Sequence, residues 1–129
     1  MATLTIALMD SPYESGTTTT ALRIADAAVR KGHNVNVFAY EGSTYLTMKE
    51  QKGHANPVKG TSVEEQKHPT TANFVAGLLA AGKVDWINCG MCVDERGSGD
   101  WIDGPRRGGP ADLLKWFDES DTTLIMGSR

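Results

Sequence analysis

The sequence predicts an α/β domain in three layers, in which a mostly parallel sheet of about five strands lies between two layers of helices. Two observations predict it: short β-rich segments alternate with amphipathic helical segments, and most connections between them are short. A strand, a helix and a second strand in quick succession fold as a right-handed βαβ unit, which makes the sheet parallel. The length of 129 residues supports one hydrophobic core, so residues 1–129 are expected to form a single domain.

The strands are predicted from short runs of β-branched, aromatic and other apolar residues. These runs cover residues 3–9, 35–40, 84–88 and 122–126. Between them, apolar residues at helical spacing predict longer helices from Thr17 to about Lys31 and over residues 70–83 and 110–120. Shorter helices are predicted over residues 41–52 and 90–96.

The predicted helices have recognisable start and stop signals. Threonine hydroxyls from Thr17 onward offer caps for the first helix, and Gly32 ends it. Pro110 opens the last helix, where its fixed φ suits the first turn. Two segments lack such patterns: residues 53–69 are polar and are expected to form a mobile surface segment, and residues 97–109, rich in glycine, are expected to form a loop.

Composition and charge exclude several classes of function. The net charge is -3 and the isoelectric point is about 5.5, so a broad phosphate-binding surface is missing and no direct nucleic-acid partner is expected. No apolar run approaches the roughly 20 residues that span a bilayer, and the first residues lack the basic region of a signal peptide. A cytoplasmic protein without a membrane partner is therefore expected.

The strongest chemical signal is the pair of cysteines, Cys89 and Cys92. They would close too small a loop for a disulfide framework, and C-x-x-C in a cytosolic chain indicates redox, sulfur or metal chemistry. Cys89 stands between a predicted strand and a predicted helix, where unpaired backbone N–H groups lower a cysteine pKa. Gly90 leaves its sulfur approachable, and Arg96 adds positive charge nearby. Reactive thiols are thus expected at the carboxyl edge of the sheet, where α/β proteins bind ligands.

Other interpretations of the thiols stay open. They pack as small buried side chains, or they bind zinc together with histidines, although His33, His54 and His68 follow no ligand spacing. A thioredoxin-like oxidoreductase is a third interpretation, although the motif follows the third strand instead of the first. No metal and no cofactor is expected.

Two groups of residues are candidates for binding an anion. The start of the first helix forms a candidate anion-binding loop, or simply a helix cap, from Ser15, Gly16, Thr17 and Thr18. A flavin site there stays conceivable, whereas no Walker or G-x-G-x-x-G pattern occurs. Arg106 and Arg107 either hold the carboxylates of a partner or form a solvated corner. Asp94 and Glu95 are expected to pair with Arg96 or with these arginines.

These segments together resemble the DsrE/DsrF/TusD-like family of sulfur-relay proteins. The most specific parts are VDWINCGMCVDERG at residues 84–97 and RGGPADL at residues 107–113, followed by the hydrophobic last strand. The first strand, the threonine-rich helix start and GHNVNVF at residues 32–38 fit the same family. The resemblance implies a DsrE-like domain with flavodoxin-like layering that assembles as trimers or hexamers.

The resemblance also implies a function. It identifies Cys89 as the cysteine that accepts sulfane sulfur as a persulfide and relays it to a partner protein, with donor and acceptor proteins of the TusA/DsrC type. The pathways implied are dissimilatory sulfur oxidation and tRNA thiolation. Cys92 departs from members with a single cysteine at this site and is the candidate resolving thiol. The alternative is a non-catalytic oligomeric protein that binds an anion, a nucleotide or a metal and has structural cysteines.

Overall fold

A computed structural model of the chain describes residues 1–52, 62 and 70–127. These residues form a five-stranded parallel sheet with the order β4-β3-β2-β1-β5. Its strands are β1 (Thr3–Leu8), β2 (Asn34–Ala39), β3 (Val84–Cys89), β4 (Arg106–Gly108) and β5 (Thr122–Met126). The predicted α/β fold is confirmed. Apart from Ser62, the segment 53–69 lies outside the described residues.

Helices cover both faces of this sheet. They are α1 (Gly16–Arg30), a 3-10 helix (Glu41–Thr47), α2 (Thr71–Ala80), α3 (Gly90–Arg96) and α4 (Pro110–Glu119). Apolar side chains of α1 and α2 pack on one face with alternate residues of β1, β2 and β3, and Trp116 of α4 packs on the other face. Within the described residues, no helix combines the length and apolar character needed to cross a bilayer.

The sequence prediction missed β4, which lies inside the glycine-rich segment 97–109. The strand is only three residues long and exists through its pairing with β3, in which Ile87 faces Arg106 and Cys89 faces Gly108. A Cβ on Gly108 would lie 2.7 Å from Cγ2 of Ile87, so only glycine allows this close approach. The loop prediction is wrong at these residues because strand pairing, not local sequence, defines the element.

Alternation along β3 sends its side chains to opposite faces and so fixes where Cys89 lies. Ile87 and Cys89 face α4, whereas Trp86 packs in the core under α1 and α2. Asn88 is fully buried; its Nδ2 donates to Oγ1 of Thr47 at 2.9 Å, and its Oδ1 accepts from Nε1 of Trp86 at 3.1 Å. This network ties the last turn of the 3-10 helix to the residue that precedes Cys89.

Candidate functional site

The parallel strands bring the predicted site residues to one edge of the sheet. β1 ends before the loop at Asp10, β2 ends before Glu41, and β3 ends at Cys89. The carboxyl ends of parallel strands lie side by side, so the loop after β1 and the cysteine segment share this edge.

Cys89 is the last residue of β3 and the residue that caps the amino end of α3. Its side chain is only 7% exposed and packs with Phe38, Ile87 and Trp116 beneath α4. Cys92 lies in the first turn of α3 and is more exposed. Both cysteines are free. The C-x-x-C spacing therefore places one thiol in the apolar cluster and the other beside it, nearer the surface.

Cys92 contacts two other groups at this edge. The backbone N–H of Glu41 donates to Sγ of Cys92 at 3.1 Å, and the Cys92 side chain packs against the cluster that contains Cys89. Burial raises the pKa of the Cys92 thiol; the N–H of Glu41 opposes this rise, and the neighbouring Cys89 adds to it.

Arg107 lies over the backbone that joins the two cysteines. A Cβ built on Gly90 would come 2.6 Å from Nε of Arg107, so the guanidinium occupies the space that any other residue would fill. Its two terminal nitrogens bind the carboxylate of Asp94 at 2.9 and 2.6 Å. This pair raises the pKa of Arg107 and lowers the pKa of Asp94, and the negative charge of Cys89 adds slightly to the rise at Arg107. Of the predicted supporting residues, Gly90 follows Cys89 in the chain and Arg107 packs against Gly90.

The other two predicted arginines pair with carboxylates on either side of the cysteines. Arg96 binds the carboxylate of Glu41 at 2.9 Å, on the side of Cys92. Arg106 binds both carboxylate oxygens of Asp85 and stands 5.9 Å from the ring centre of Trp116. All three arginines thus have carboxylate partners within the chain.

The predicted pairing of the acidic residues next to the thiols is confirmed. Asp94 pairs with Arg107, and Glu95 lies 4.0 Å from Arg96.

The candidate anion-binding loop has internal partners as well. Ser15 caps α1 by accepting the N–H of Thr17 at 3.2 Å, and its hydroxyl donates to Oδ2 of Asp10 at 2.6 Å. The Thr18 hydroxyl is buried and donates to the carbonyl of Asp10. The cap is therefore Ser15, one residue before Gly16, and not the threonines. Anion binding at this loop stays a prediction.

A cavity of about 370 Å³ lies between the loop after β1, the start of the 3-10 helix and the last residue of α3. The residues that line it are Met9, Ser11, Glu14, Glu41, Gly42 and Arg96. Glu41 lines this cavity and also contacts Cys92. Its N–H donates to the Cys92 sulfur, and its carboxylate accepts from Arg96, which lines the cavity as well.

Within residues 1–52, 62 and 70–127, no cluster of three or more histidine, cysteine, aspartate or glutamate side chains is arranged to hold a metal ion. His33 precedes β2, and its Nδ1 accepts the N–H of Ala2. It therefore lies at the amino ends of the strands, opposite the cysteines. His54 and His68 lie outside the described residues.

Sequence reasoning missed the role of Glu41. Glu41 lies shortly after β2 and has a φ of 53°, a left-handed backbone conformation that residues other than glycine rarely adopt. Nothing in the sequence favours this conformation at a glutamate, and the contact with Cys92 joins residues 51 positions apart. Only the neighbouring Gly42 indicates a turn.

The chain is a parallel α/β protein with two free thiols at the carboxyl edge of its sheet. The DsrE/DsrF-like family model matches residues 2–125, and the chain is a member of that family. This confirms the resemblance and associates the chain with sulfur relay at the level of the family.

The relatives extend over nearly the whole chain. It is 29% identical over 122 residues to the uncharacterized protein MJ0989 of Methanocaldococcus jannaschii, covering 93% of this chain and 96% of that one. It is 28% identical over 124 residues to the uncharacterized protein MK0008 of Methanopyrus kandleri, and the alignment covers 95% of this chain and 92% of that one. The crystal structure of the ychN protein from E. coli aligns with a TM-score of 0.79 at 22% identity, covering 97% and 99%, which shows the shared fold.

Proposed function

We propose that the protein is a sulfur carrier in which Cys89 accepts sulfane sulfur as a persulfide and passes it to a thiol of a partner protein. The main support is the pair of free thiols at the carboxyl end of β3, in a chain of the DsrE/DsrF-like family. The chemistry needs free thiols, so it belongs in a reducing compartment such as the cytoplasm.

Loading begins with the thiolate of Cys89, which attacks the sulfane sulfur of a donor persulfide. A new S–S bond forms on Cys89, the donor's S–S bond breaks, and the donor leaves as a thiolate. The guanidinium of Arg107 lies across Gly90 from this thiolate and attracts its negative charge. Arg107 is exposed on the surface, so its side chain can move aside to admit the donor.

Relay is the same exchange in the other direction. A partner thiolate attacks the outer sulfur of the persulfide, the S–S bond on Cys89 breaks, and Cys89 leaves as a thiolate. The guanidinium of Arg107, which attracts the Cys89 thiolate during loading, also stabilises this thiolate as the leaving group. The partner is a small thiol-bearing acceptor of the TusA/DsrC type, as the family resemblance implies.

The test is transfer of labelled sulfur from a sulfane donor to such an acceptor. Cys89→Ser is expected to abolish both loading and transfer, because it removes the sulfur that carries the persulfide. Cys92→Ser is the matched control: it is expected to load and to change only the lifetime of the persulfide. Loading that survives in Cys89→Ser would contradict the assignment.

Self-association is part of the proposal, because exposed apolar side chains lie on the α4 side of the sheet. Ile125 is 67% exposed and shares a sheet row with Ala7, Phe38 and Ile87, which are all buried. Leu114 of α4 is 64% exposed. Ile125→Glu is expected to reduce the mass measured by light scattering from an oligomer to a monomer. A wild-type protein that is monomeric at micromolar concentration would contradict this part.

The competing function is a binding protein whose cysteines are structural. One observation favours it: Cys89 is 7% exposed and packs among aromatic and aliphatic side chains. Alkylation measured against pH separates the two functions. A carrier reacts at Cys89 well below the free-cysteine pKa of about 8.5, whereas a structural thiol stays inert in the folded protein.

A further inference from the structure

The two cysteines stand one helical turn apart, at the start of α3. Cys89 caps this helix and Cys92 lies in its first turn. Residues three positions apart at a helix start have Cα atoms about 5 Å apart, and a disulfide spans about 4.4 to 6.8 Å. Cys92 also packs against the apolar cluster that contains Cys89, and both cysteines are free. The spacing and the packing therefore allow a Cys89–Cys92 disulfide.

Glu41 holds Cys92 in this position from the other side. Its N–H donates to Sγ of Cys92, and its carboxylate is fixed by Arg96 at 2.9 Å. The left-handed backbone of Glu41 is strained for a residue with a side chain, and such strain persists only where surrounding contacts hold it. This backbone conformation directs the N–H of Glu41 towards the sulfur of Cys92.

From this arrangement we infer that Cys92 discharges the Cys89 persulfide as hydrogen sulfide, which gives the protein a sulfide-releasing activity beside the relay. The inference rests on the proposed loading of Cys89. In the step, the Cys92 thiolate attacks the inner sulfur, Sγ of Cys89, and the bond to the outer sulfur breaks. The outer sulfur leaves as HS⁻ and takes up the proton given by Cys92, so a persulfide and a thiol become a disulfide and H₂S.

The attack falls on the inner sulfur because that atom stays in the apolar cluster against which Cys92 packs. The outer sulfur lies one bond farther away, where an acceptor protein reaches it. Discharge and relay therefore compete for the same persulfide, and sulfide forms when no acceptor thiol is present. Two thiol–disulfide exchanges with a cellular dithiol regenerate both cysteines and oxidise the dithiol to its disulfide. The net reaction is the dithiol-dependent reduction of sulfane sulfur to sulfide.

The test loads the full chain with inorganic polysulfide, removes the excess donor, and follows sulfide release and intact mass over time. Wild type is expected to release one sulfide per loaded chain and to finish as the Cys89–Cys92 disulfide, detected as the loss of two hydrogens. Cys92→Ser and Cys92→Ala are expected to keep the added sulfur on Cys89. A dithiol added to wild type is expected to give repeated turnover.

The outcomes separate this inference from the proposed function. If neither Cys92 variant gains sulfur on Cys89, the carrier proposal itself fails. If the variants load but wild type keeps its persulfide, or if the extra sulfur moves to Cys92, the carrier stands and the sulfide-releasing step is overturned.

Glu41→Gly and Glu41→Val test the positioning by Glu41. Both remove the carboxylate, but glycine adopts the left-handed φ freely and valine resists it. At equal loading of Cys89, the valine variant is expected to release sulfide several-fold more slowly than the glycine variant. Equal rates would show that the N–H of Glu41 does not position Cys92.

Discussion

Replacing Asn88 with alanine tests how the end of β3 is held in place. Asn88 is fully buried, and its amide joins Trp86 to Thr47. Alanine leaves the indole N–H and the threonine hydroxyl without their partner, at about 1 to 3 kcal/mol each. The lost side-chain volume adds to this, so Asn88→Ala is expected to lower the free energy of unfolding by about 3 to 5 kcal/mol.

Urea denaturation followed by tryptophan fluorescence measures this loss. Thr47→Val is the matched variant, because it keeps the shape and removes only the hydroxyl; it is expected to cost about 1 to 3 kcal/mol. The double variant should lose less than the sum of the two single variants, since both remove the same hydrogen bond. A loss below about 1 kcal/mol in Asn88→Ala would refute the reasoning that this network holds the strand end beside Cys89.

Three further predictions concern the surroundings of the thiols. Arg107→Ala should lower, several-fold, the ratio of the Cys89 alkylation rate with iodoacetate to the rate with iodoacetamide. The guanidinium attracts the anionic iodoacetate and not the neutral iodoacetamide. A change in access to the thiol would affect both reagents alike and leave this ratio unchanged. The pKa of Asp94 should lie below its ordinary value of 3.8 and return towards it in Arg107→Ala, measured by NMR titration of the carboxyl group. Any stability from this pair is present above pH 3.8 and is lost as the pH falls through the lowered pKa. Trp116→Ala should lower the free energy of unfolding by about 3 to 5 kcal/mol in urea denaturation, because the indole is 6% exposed.

Each of these predictions has a matched control. Arg106→Ala removes the neighbouring guanidinium, which binds Asp85, and should leave the ratio of the two alkylation rates unchanged. Lys115→Ala removes a side chain of α4 that is 74% exposed, and its effect on stability should stay within about 0.5 kcal/mol. If the control variants change the ratio of alkylation rates or the free energy of unfolding as much as the test variants do, the contacts assigned to Arg107 and Trp116 are wrong.

The elements that could be predicted from sequence are those with a local signal. The apolar periodicity of α1, the strand composition of β1 to β3 and the C-x-x-C spacing all lie within single short segments. Their placement at one sheet edge follows from the rules of parallel sheets. The spacing of Trp86 within β3 and of Trp116 within α4 likewise predicts that both lie in the core, and both are buried.

The parts that could not be predicted depend on residues far apart in the chain. β4 is defined by its register with β3, and Arg107 and Asp85 are joined to their partners across 13 and 21 positions. The left-handed backbone of Glu41 is set by contacts with Cys92 and Arg96, which are more than 50 residues away. No window of local sequence contains such pairs.

The most direct test of the central claim is the intact mass of the purified protein before and after treatment with a sulfane donor, with alkylation to map the modified thiol. Cys92→Ser provides the variant in which the persulfide should persist. The proposed carrier predicts a gain of whole sulfur atoms on Cys89, which a reductant removes and which Cys89→Ser does not show. No gain in mass, with both thiols inert to alkylation in the folded protein, would contradict the claim and favour a binding protein with structural cysteines.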